Sequence, residues 1–170
     1  MSFKEFTDLV TNTAPCCRYD ERSPVSEVVL SELVGYAKYT QLEHNLPQFE
    51  YIVSYNSDLN KKIFCTLDWT GIESEMKPPA KGERPTAYIM ILTDYPVSEE
   101  TEIASGAAVQ TILLAATSKG LGSCLFNNLQ RDRLNKYLNI PGDQYILLVI
   151  AIGKPLEKYT LGEGFSKKFS

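Results

Sequence analysis

The segment EIASGAAVQTILLAATSKGLG, residues 102–122, constrains the fold of this chain more than any other. It is apolar on nearly all sides at helical spacing, and a helix of that kind is buried. Its N-terminal half is crowded with small residues at positions 104–108, which let a second backbone approach closely. In a chain of 170 residues, that backbone belongs either to a sheet or to the same helix of a second subunit. Gly120 and Gly122 end the predicted helix.

Helical and strand patterns alternate along the rest of the chain. A first helix is predicted from Phe3 to Val10, ending at Pro15 at the latest, and a second begins near Ser26, a favourable N-cap. This order predicts one domain over residues 1–170, a three-layer α+β or α/β sandwich around a central sheet flanked by helices. The other predicted elements are a strand in FEYIVSY, a short helix over about residues 57–67, strands in TAYIMILTD and SCLFNN, a helix in RDRLNKYLN and a final strand in QYILLVIAIGKP.

Composition and motifs exclude several kinds of chemistry. A net charge of −4 argues against nucleic acid, and four cysteines without a CxxC pair, with His44 as the one histidine, argue against a metal site. GxSxG, P-loop and strand-to-helix GxGxxG motifs are absent. The run YILLVIAIG is too short to cross a membrane, and the N-terminal pattern is no export signal, so a cytoplasmic location is expected. A redox cofactor supplies its own reactive atom and requires no such motif.

Several segments, in order, resemble the nitroreductase family of FMN-dependent oxidoreductases. The similarity covers about residues 3–158, and its specificity comes from the joint order of the segments. SGAAVQTILLAATSKGLGSCLF is the most similar, and it resembles the family's long dimer-forming helix and the turn beside the flavin. The other similar segments are RYDERSPVSEVVLSELVGYAK, NLPQFEYIVS, KKIFCTLDW, GERPTAYIMIL and DRLNKYLNIPGDQYILLVIAIGKP.

This resemblance implies a mainly antiparallel central sheet and an interlocked homodimer with two identical FMN sites at the subunit interface, to each of which both chains contribute. It also implies ping-pong chemistry. NAD(P)H reduces the flavin by hydride transfer and leaves, and a small acceptor such as a nitroaromatic or a quinone then enters the same space. No metal and no membrane is implied as a partner.

The resemblance also implies which residues hold the cofactor. Cys17 and Arg18 lie where the family grips the FMN phosphate, with Arg18 as the basic group of that stretch. Asn45 matches an Asn that reaches the flavin across the dimer interface, and Gln48 lies near it. The turn after the long helix lies along the ring edge, where a backbone N–H stabilises negative charge on the reduced ring; its residues are Leu125, Phe126, Asn127 and Asn128.

Two alternatives stay open at this stage. The stretch TAPCC, residues 13–17, lacks the basic residues and the hydroxyl that the family places there, which suits a binding or regulatory protein that kept the fold and lost the flavin chemistry. Adjacent Cys16 and Cys17 suggest a thiol redox protein, although cysteine more often behaves as a small apolar residue. Lys167 and Lys168 in the C-terminal tail are further candidates for the phosphate, against a solvated tail.

Overall fold

The structure, a computed structural model, describes residues 1–40, 48–69, 78–94 and 96–156. Within them the order of helices and strands is the predicted one. The helices are α1 (Phe3–Asn12), α2 (Glu27–Tyr39), α3 (Ser57–Phe64), α4 (Glu99–Ser118) and α5 (Arg131–Leu138), and the strands are β1 (Glu50–Ser54), β2 (Ala87–Asp94), β3 (Gly122–Phe126) and β4 (Gln144–Gly153).

The four strands form one sheet in the order β1-β2-β4-β3, and every neighbouring pair is antiparallel. The register of β2 and β4 shifts between Ile91 and Leu92, where Leu147 is the extra residue of a bulge. The sheet confirms the predicted α+β fold with a mainly antiparallel centre. Since β3 pairs only with β4, one of its edges faces away from the sheet.

Two apolar layers cover the sheet, as the unbroken apolar runs of β2 and β4 predicted. On one face, α2 and α4 pack against the side chains of Ile89, Ile91 and Ile150. On the other, α3 and α5 pack against Tyr88 and Met90. Helices on both faces complete the predicted three-layer sandwich.

The helix boundaries follow their capping residues. The Ser26 hydroxyl accepts from the Val29 N–H at 3.4 Å, which confirms the predicted start of α2. Helix α4 begins at Glu99, three residues before the predicted start, because Ser98 caps it by accepting from the Thr101 N–H at 3.2 Å. The first turn of α4 is acidic, so the spacing of apolar residues does not predict it. Gly120, at φ +71°, ends α4 as predicted.

Helix α4 is buried on one face only in the single chain. Ala104, Ala108 and Ile112 are buried against the sheet, whereas 71% of Ile103 is exposed. The sequence pattern predicts a helix that is buried on nearly all sides, and its outer apolar face is the part that a single chain leaves exposed. None of the helices in the described ranges has the length and apolar character of a membrane span.

Candidate functional site at the open edge of the sheet

The outer edge of β3 is covered over its first half only. The segment at residues 14–16 runs beside the start of the strand, with a parallel bridge from Pro15 to Ser123, and the Cys16 N–H donates to the Ser123 carbonyl at 2.9 Å. Backbone groups of a strand alternate in direction with a period of two residues, so those of Leu125 point to the same outer edge. Of the Leu125 side chain and backbone, 42% is exposed. Within the described ranges no backbone hydrogen bond covers the second half of this edge, which leaves it open to a ligand.

In the turn after β3, the carbonyl groups of Asn127 and Asn128 accept hydrogen bonds, whereas their backbone N–H groups have no backbone acceptor in the described ranges. The Arg131 guanidinium donates to the Asn127 carbonyl at 2.9 Å, and the Asp68 N–H donates to the Asn128 carbonyl at 3.3 Å. The Asn128 side chain also donates to the Asp68 carboxylate, at 2.6 Å. Neither the Asn127 nor the Asn128 backbone N–H donates to a backbone carbonyl elsewhere in the described ranges, and both residues are exposed. Two backbone donors at an open edge suit a ligand that carries negative charge.

Phe126 anchors this turn in the core. Only 3% of Phe126 is exposed, and its ring lies 4.6 Å from that of Trp69 in an edge-on contact. The Trp69 indole N–H donates to the Phe64 carbonyl at 3.3 Å. Phe126 therefore offers only its backbone to a ligand, and its ring fixes the position of the turn.

A groove of about 500 Å³ lies beside the turn. Its walls come from the N-terminal half of α4, the end of β3 and the start of β4, and a groove of this size accommodates a cofactor-sized ring. The residues that line it include Glu102, Ser105, Gly106, Leu125, Asn127 and Arg131. The small residues of α4 leave this space open. They therefore have a second role besides letting another backbone approach the helix.

Tyr19 holds the segment at residues 14–18 in place. It is fully buried, its hydroxyl donates to the Cys16 carbonyl, and its N–H donates to the Glu83 carbonyl at 2.9 Å. Burial raises the pKa of Tyr19 well above its usual value, so the hydroxyl stays a donor. These contacts of Tyr19 thus fix the position of residues 14–18 beside β3.

The adjacent cysteines face different surroundings. Cys17 is buried, and its sulfur lies 3.8 Å from that of Cys124. The hydrogen bond to Cys17, together with burial, raises the pKa of the Cys124 thiol. Cys16 is half-buried, and its thiol donates to the Arg18 carbonyl at 3.4 Å. All four cysteines are free thiols, and Cys17 packs as the small apolar residue that was predicted, so its side chain offers no donor to the open edge.

Arg18 lies at the end of the site where β3 begins. Its side chain is 52% exposed, with Nε 3.9 Å from a Glu83 carboxylate oxygen. The Leu156 N–H donates to the Arg18 carbonyl at 3.0 Å, which brings the end of β4 and the exposed Lys154 to the same corner. Two cations thus lie near the start of β3, and Glu83 competes for one of them.

Of the two residues predicted to reach the flavin across the dimer interface, Asn45 and Gln48, the structure describes Gln48 alone. Asn45 lies outside the described residues, as do His44, Lys167 and Lys168. Gln48 is exposed just before β1, at the opposite edge of the sheet from β3. A contribution of Gln48 to the open edge therefore requires a second subunit.

Asp68 and Arg131 are site residues that the sequence interpretation missed. Asp68 follows the predicted short helix over about residues 57–67 and lies outside every predicted element, and Arg131 opens helix α5. One sequence feature could have indicated Arg131. It lies three residues after the turn, and an arginine at that position reaches back to the carbonyl groups of the turn. Among the described residues, no cluster of histidine, cysteine or carboxylate groups is arranged to bind a metal.

Comparison with known proteins places this chain in a family. The family model described as "Nitroreductase family" matches residues 18–154, and the chain belongs to that family. Its members are generally flavin-dependent oxidoreductases and usually dimers. A comparison with curated proteins gives no match.

Solved structures share the fold at low sequence identity. A Bacteroides thetaiotaomicron VPI-5482 protein, provisionally named an NADH dehydrogenase/NAD(P)H nitroreductase, has 19% identity and a TM-score of 0.75, and the match covers 99% of this chain and 98% of that one. A nitroreductase family protein from Clostridium novyi NT has 18% identity and a TM-score of 0.73, with 95% and 89% covered. An FMN-dependent nitroreductase from Clostridium difficile R20291 has 17% identity and a TM-score of 0.72, with 95% of each chain covered.

Proposed function

We propose that this protein is an FMN-dependent oxidoreductase that passes a hydride from NAD(P)H to a small acceptor such as a nitroaromatic or a quinone. The observation that carries the proposal is the exposed turn after β3, where the Asn127 and Asn128 N–H groups donate to no backbone carbonyl in the described ranges and Asn127 lines the groove beside α4. Family membership supports a flavin as the ligand. The proposed location is the cytoplasm.

The residues present fit the ring of FMN better than its phosphate. The amides of Asn127 and Asn128 would hold the electron-rich edge of the ring, because preorganised donors stabilise charge that develops there. Arg18 would bind the phosphate, with Lys154 at the same corner. FMN, when bound, supplies the group that accepts and returns the hydride. The protein then has three tasks: to orient the ring, to hold its edge and to shape the space above it.

We also propose that the active form is a homodimer. Along α4, Ile103 and Ala107 are exposed on one stripe, and Tyr36 and Tyr39 of α2 leave large apolar surfaces uncovered, 71% of Tyr39 being exposed. Helix α1 buries no residue in the single chain. A second copy covering these helices would bring its own Gln48 region toward an open edge.

Ala107→Glu is expected to convert the dimer to a monomer at micromolar protomer concentrations. A longer, charged side chain on a close-packed helix face removes the small residue that lets another backbone approach, and leaves an unpaired charge at the interface. Sedimentation equilibrium gives the measurement. Ala80→Glu makes the same change at an exposed alanine outside these helices, and should leave the dimer intact. A dimer that persists in Ala107→Glu would refute this interface.

The absorbance spectrum of the purified protein, before and after addition of FMN, tests the proposed function. We expect a flavin band and an oxidation of NAD(P)H that nitroaromatics or quinones accelerate. Colourless protein that takes up no added FMN would refute the proposal. It would favour the alternative, a binding or regulatory protein with this fold, for which residues 13–17 without a basic group are the motivation.

Arg18→Ala is expected to weaken FMN binding by about 10–100-fold, because a hydrogen bond to a charged group contributes about 1.5–3 kcal/mol. Glu83→Gln should act in the opposite direction, since it removes the carboxylate that lies 3.9 Å from the Arg18 guanidinium. Quenching of flavin fluorescence during titration gives both dissociation constants. Equal FMN affinity in the wild type and in Arg18→Ala would remove Arg18 from the phosphate site.

A further inference from the structure

A small cavity of about 140 Å³ lies between α3 and the start of β2. It is distinct from the open edge of β3, because β2 and β3 are separated in the sheet by β4 and the cavity lies near the outer strand β1. The residues that line the cavity include Glu21, Asn60, Lys61, Phe64, Arg84 and Tyr88.

Two buried polar atoms in this cavity have no hydrogen-bond partner. Tyr88 is 0% exposed, and its hydroxyl is unpaired. The Nε of Arg84 is also buried and unpaired. Because an unsatisfied buried donor costs about 1–3 kcal/mol, more than nine in ten buried polar groups in proteins have partners. Both donors belong to residues that line one cavity, which points to a ligand there that accepts from both.

Arg84 is positioned for such a ligand. Its guanidinium lies 4.5 Å from the centre of the Phe64 ring, on which it stacks. Within the described ranges no carboxylate forms an ion pair with it. A stacked arginine keeps the edge of its planar fork available for a carboxylate, which it binds through two parallel hydrogen bonds.

Three other polar side chains of the cavity already have partners. Asn60 accepts from the Ser54 hydroxyl at 2.7 Å and donates to the Thr86 carbonyl at 2.7 Å. Lys61 is paired with Asp58 at 2.8 Å, and Glu21 accepts from the Gly82 N–H. Burial raises the pKa of Tyr88, so its hydroxyl stays protonated and able to donate.

We propose that this cavity binds the carboxylate of a small organic acid, which accepts hydrogen bonds from the Arg84 guanidinium and the Tyr88 hydroxyl. A singly charged group fits better than a phosphate dianion, because the Glu21 carboxylate forms part of the wall. An engineered cavity of about 150 Å³ holds a benzene molecule, so the ligand has about six non-hydrogen atoms or fewer. The site is independent of the flavin site.

Thermal unfolding in sodium propionate, compared with sodium chloride at equal ionic strength, tests this site. We expect a saturable rise in Tm with propionate in the wild type, because a ligand that binds only the folded state stabilises it. Excluded salts also raise Tm, without saturation and in every variant. The decisive quantity is therefore the difference in the propionate effect between variants.

Tyr88→Phe and Arg84→Met should each weaken propionate binding at least tenfold. Tyr88→Phe should lose little stability in chloride, because it removes a hydroxyl that has no protein partner, and it thereby keeps the test valid if Arg84→Met folds poorly. Arg133→Met, an exposed arginine on α5, should retain the wild-type response.

Two outcomes would overturn the proposal. If propionate stabilises the wild type and Tyr88→Phe equally, water molecules satisfy the two donors and no carboxylate binds there. If inorganic phosphate gives a saturable rise in Tm that propionate does not, the cavity is an oxyanion site of another class and the carboxylate assignment is wrong.

Discussion

Tyr19→Ala is expected to lower the free energy of unfolding by about 3–5 kcal/mol, the usual cost of removing a large buried aromatic side chain. The ring is fully buried and lies directly under Gly153, at the end of β4. Its hydroxyl donates to the Cys16 carbonyl, which a truncated side chain leaves without that partner. The loss therefore combines a cavity with a weakened attachment of the segment at residues 14–18.

Urea unfolding at a fixed protomer concentration, followed by far-ultraviolet circular dichroism, measures this loss. Tyr19→Phe is the matched control, since it keeps the ring and removes only the hydroxyl, at a cost of about 1 kcal/mol. If the alanine variant is no less stable than the phenylalanine variant, the ring does not support the segment in the way described. The alanine variant should also bind FMN more weakly, because residues 14–18 lose their support.

Gly122→Ala is expected to cost about 1–3 kcal/mol, as overpacking of a close contact does. A Cβ at position 122 would lie 2.6 Å from the sulfur and 2.8 Å from the Cβ of Cys16, and 3.1 Å from the Cβ of Pro155. The clash pushes the segment away from β3 at the point where the Cys16 N–H donates to Ser123.

A double-mutant cycle isolates this contact. Cys16→Gly removes the two nearest of the three atoms that the new methyl group meets, so Cys16→Gly/Gly122→Ala should recover most of the loss, with a clearly favourable coupling energy. Gly35→Ala on α2 is the contrasting control, because a Cβ there meets nothing within 4 Å and alanine favours a helix by about 0.5–1 kcal/mol. Strictly additive effects of the two substitutions at Cys16 and Gly122 would contradict the steric explanation.

The fold was predictable from the sequence because local pattern and tertiary environment agree along most of it. The seven consecutive buried residues of β2 follow from its unbroken apolar run, and Gly120 with its positive φ marks the end of α4. The start of α4 was not predictable from apolar spacing, because Ser98 and three glutamates, not apolar residues, define its first turn.

The candidate site was predictable only in part. The role of the turn at Leu125–Asn128 was predicted only from the resemblance, because the long helix and the turn after it are similar to those beside the flavin in the family. The contact between Cys17 and Cys124 joins residues 107 positions apart, and the cavity at Arg84 and Tyr88 depends on a ring from α3. Such long-range contacts leave no local periodicity in the sequence. The roles of Asn45 and Gln48 at a second subunit stay predictions.

The half-covered edge of β3 also bears on how this protein avoids aggregation. An exposed sheet edge pairs readily with strands of other molecules, and proteins protect such edges with short or irregular neighbours. Here the segment with Pro15 covers the first half, and the part left open from Leu125 to Asn128 spans about 13 Å at the usual rise per residue. That length is sufficient for the proposed flavin ring, yet it is shorter than the typical strand of five or six residues. The same opening would thus admit the proposed cofactor, while it gives an incoming β-strand too little to pair with.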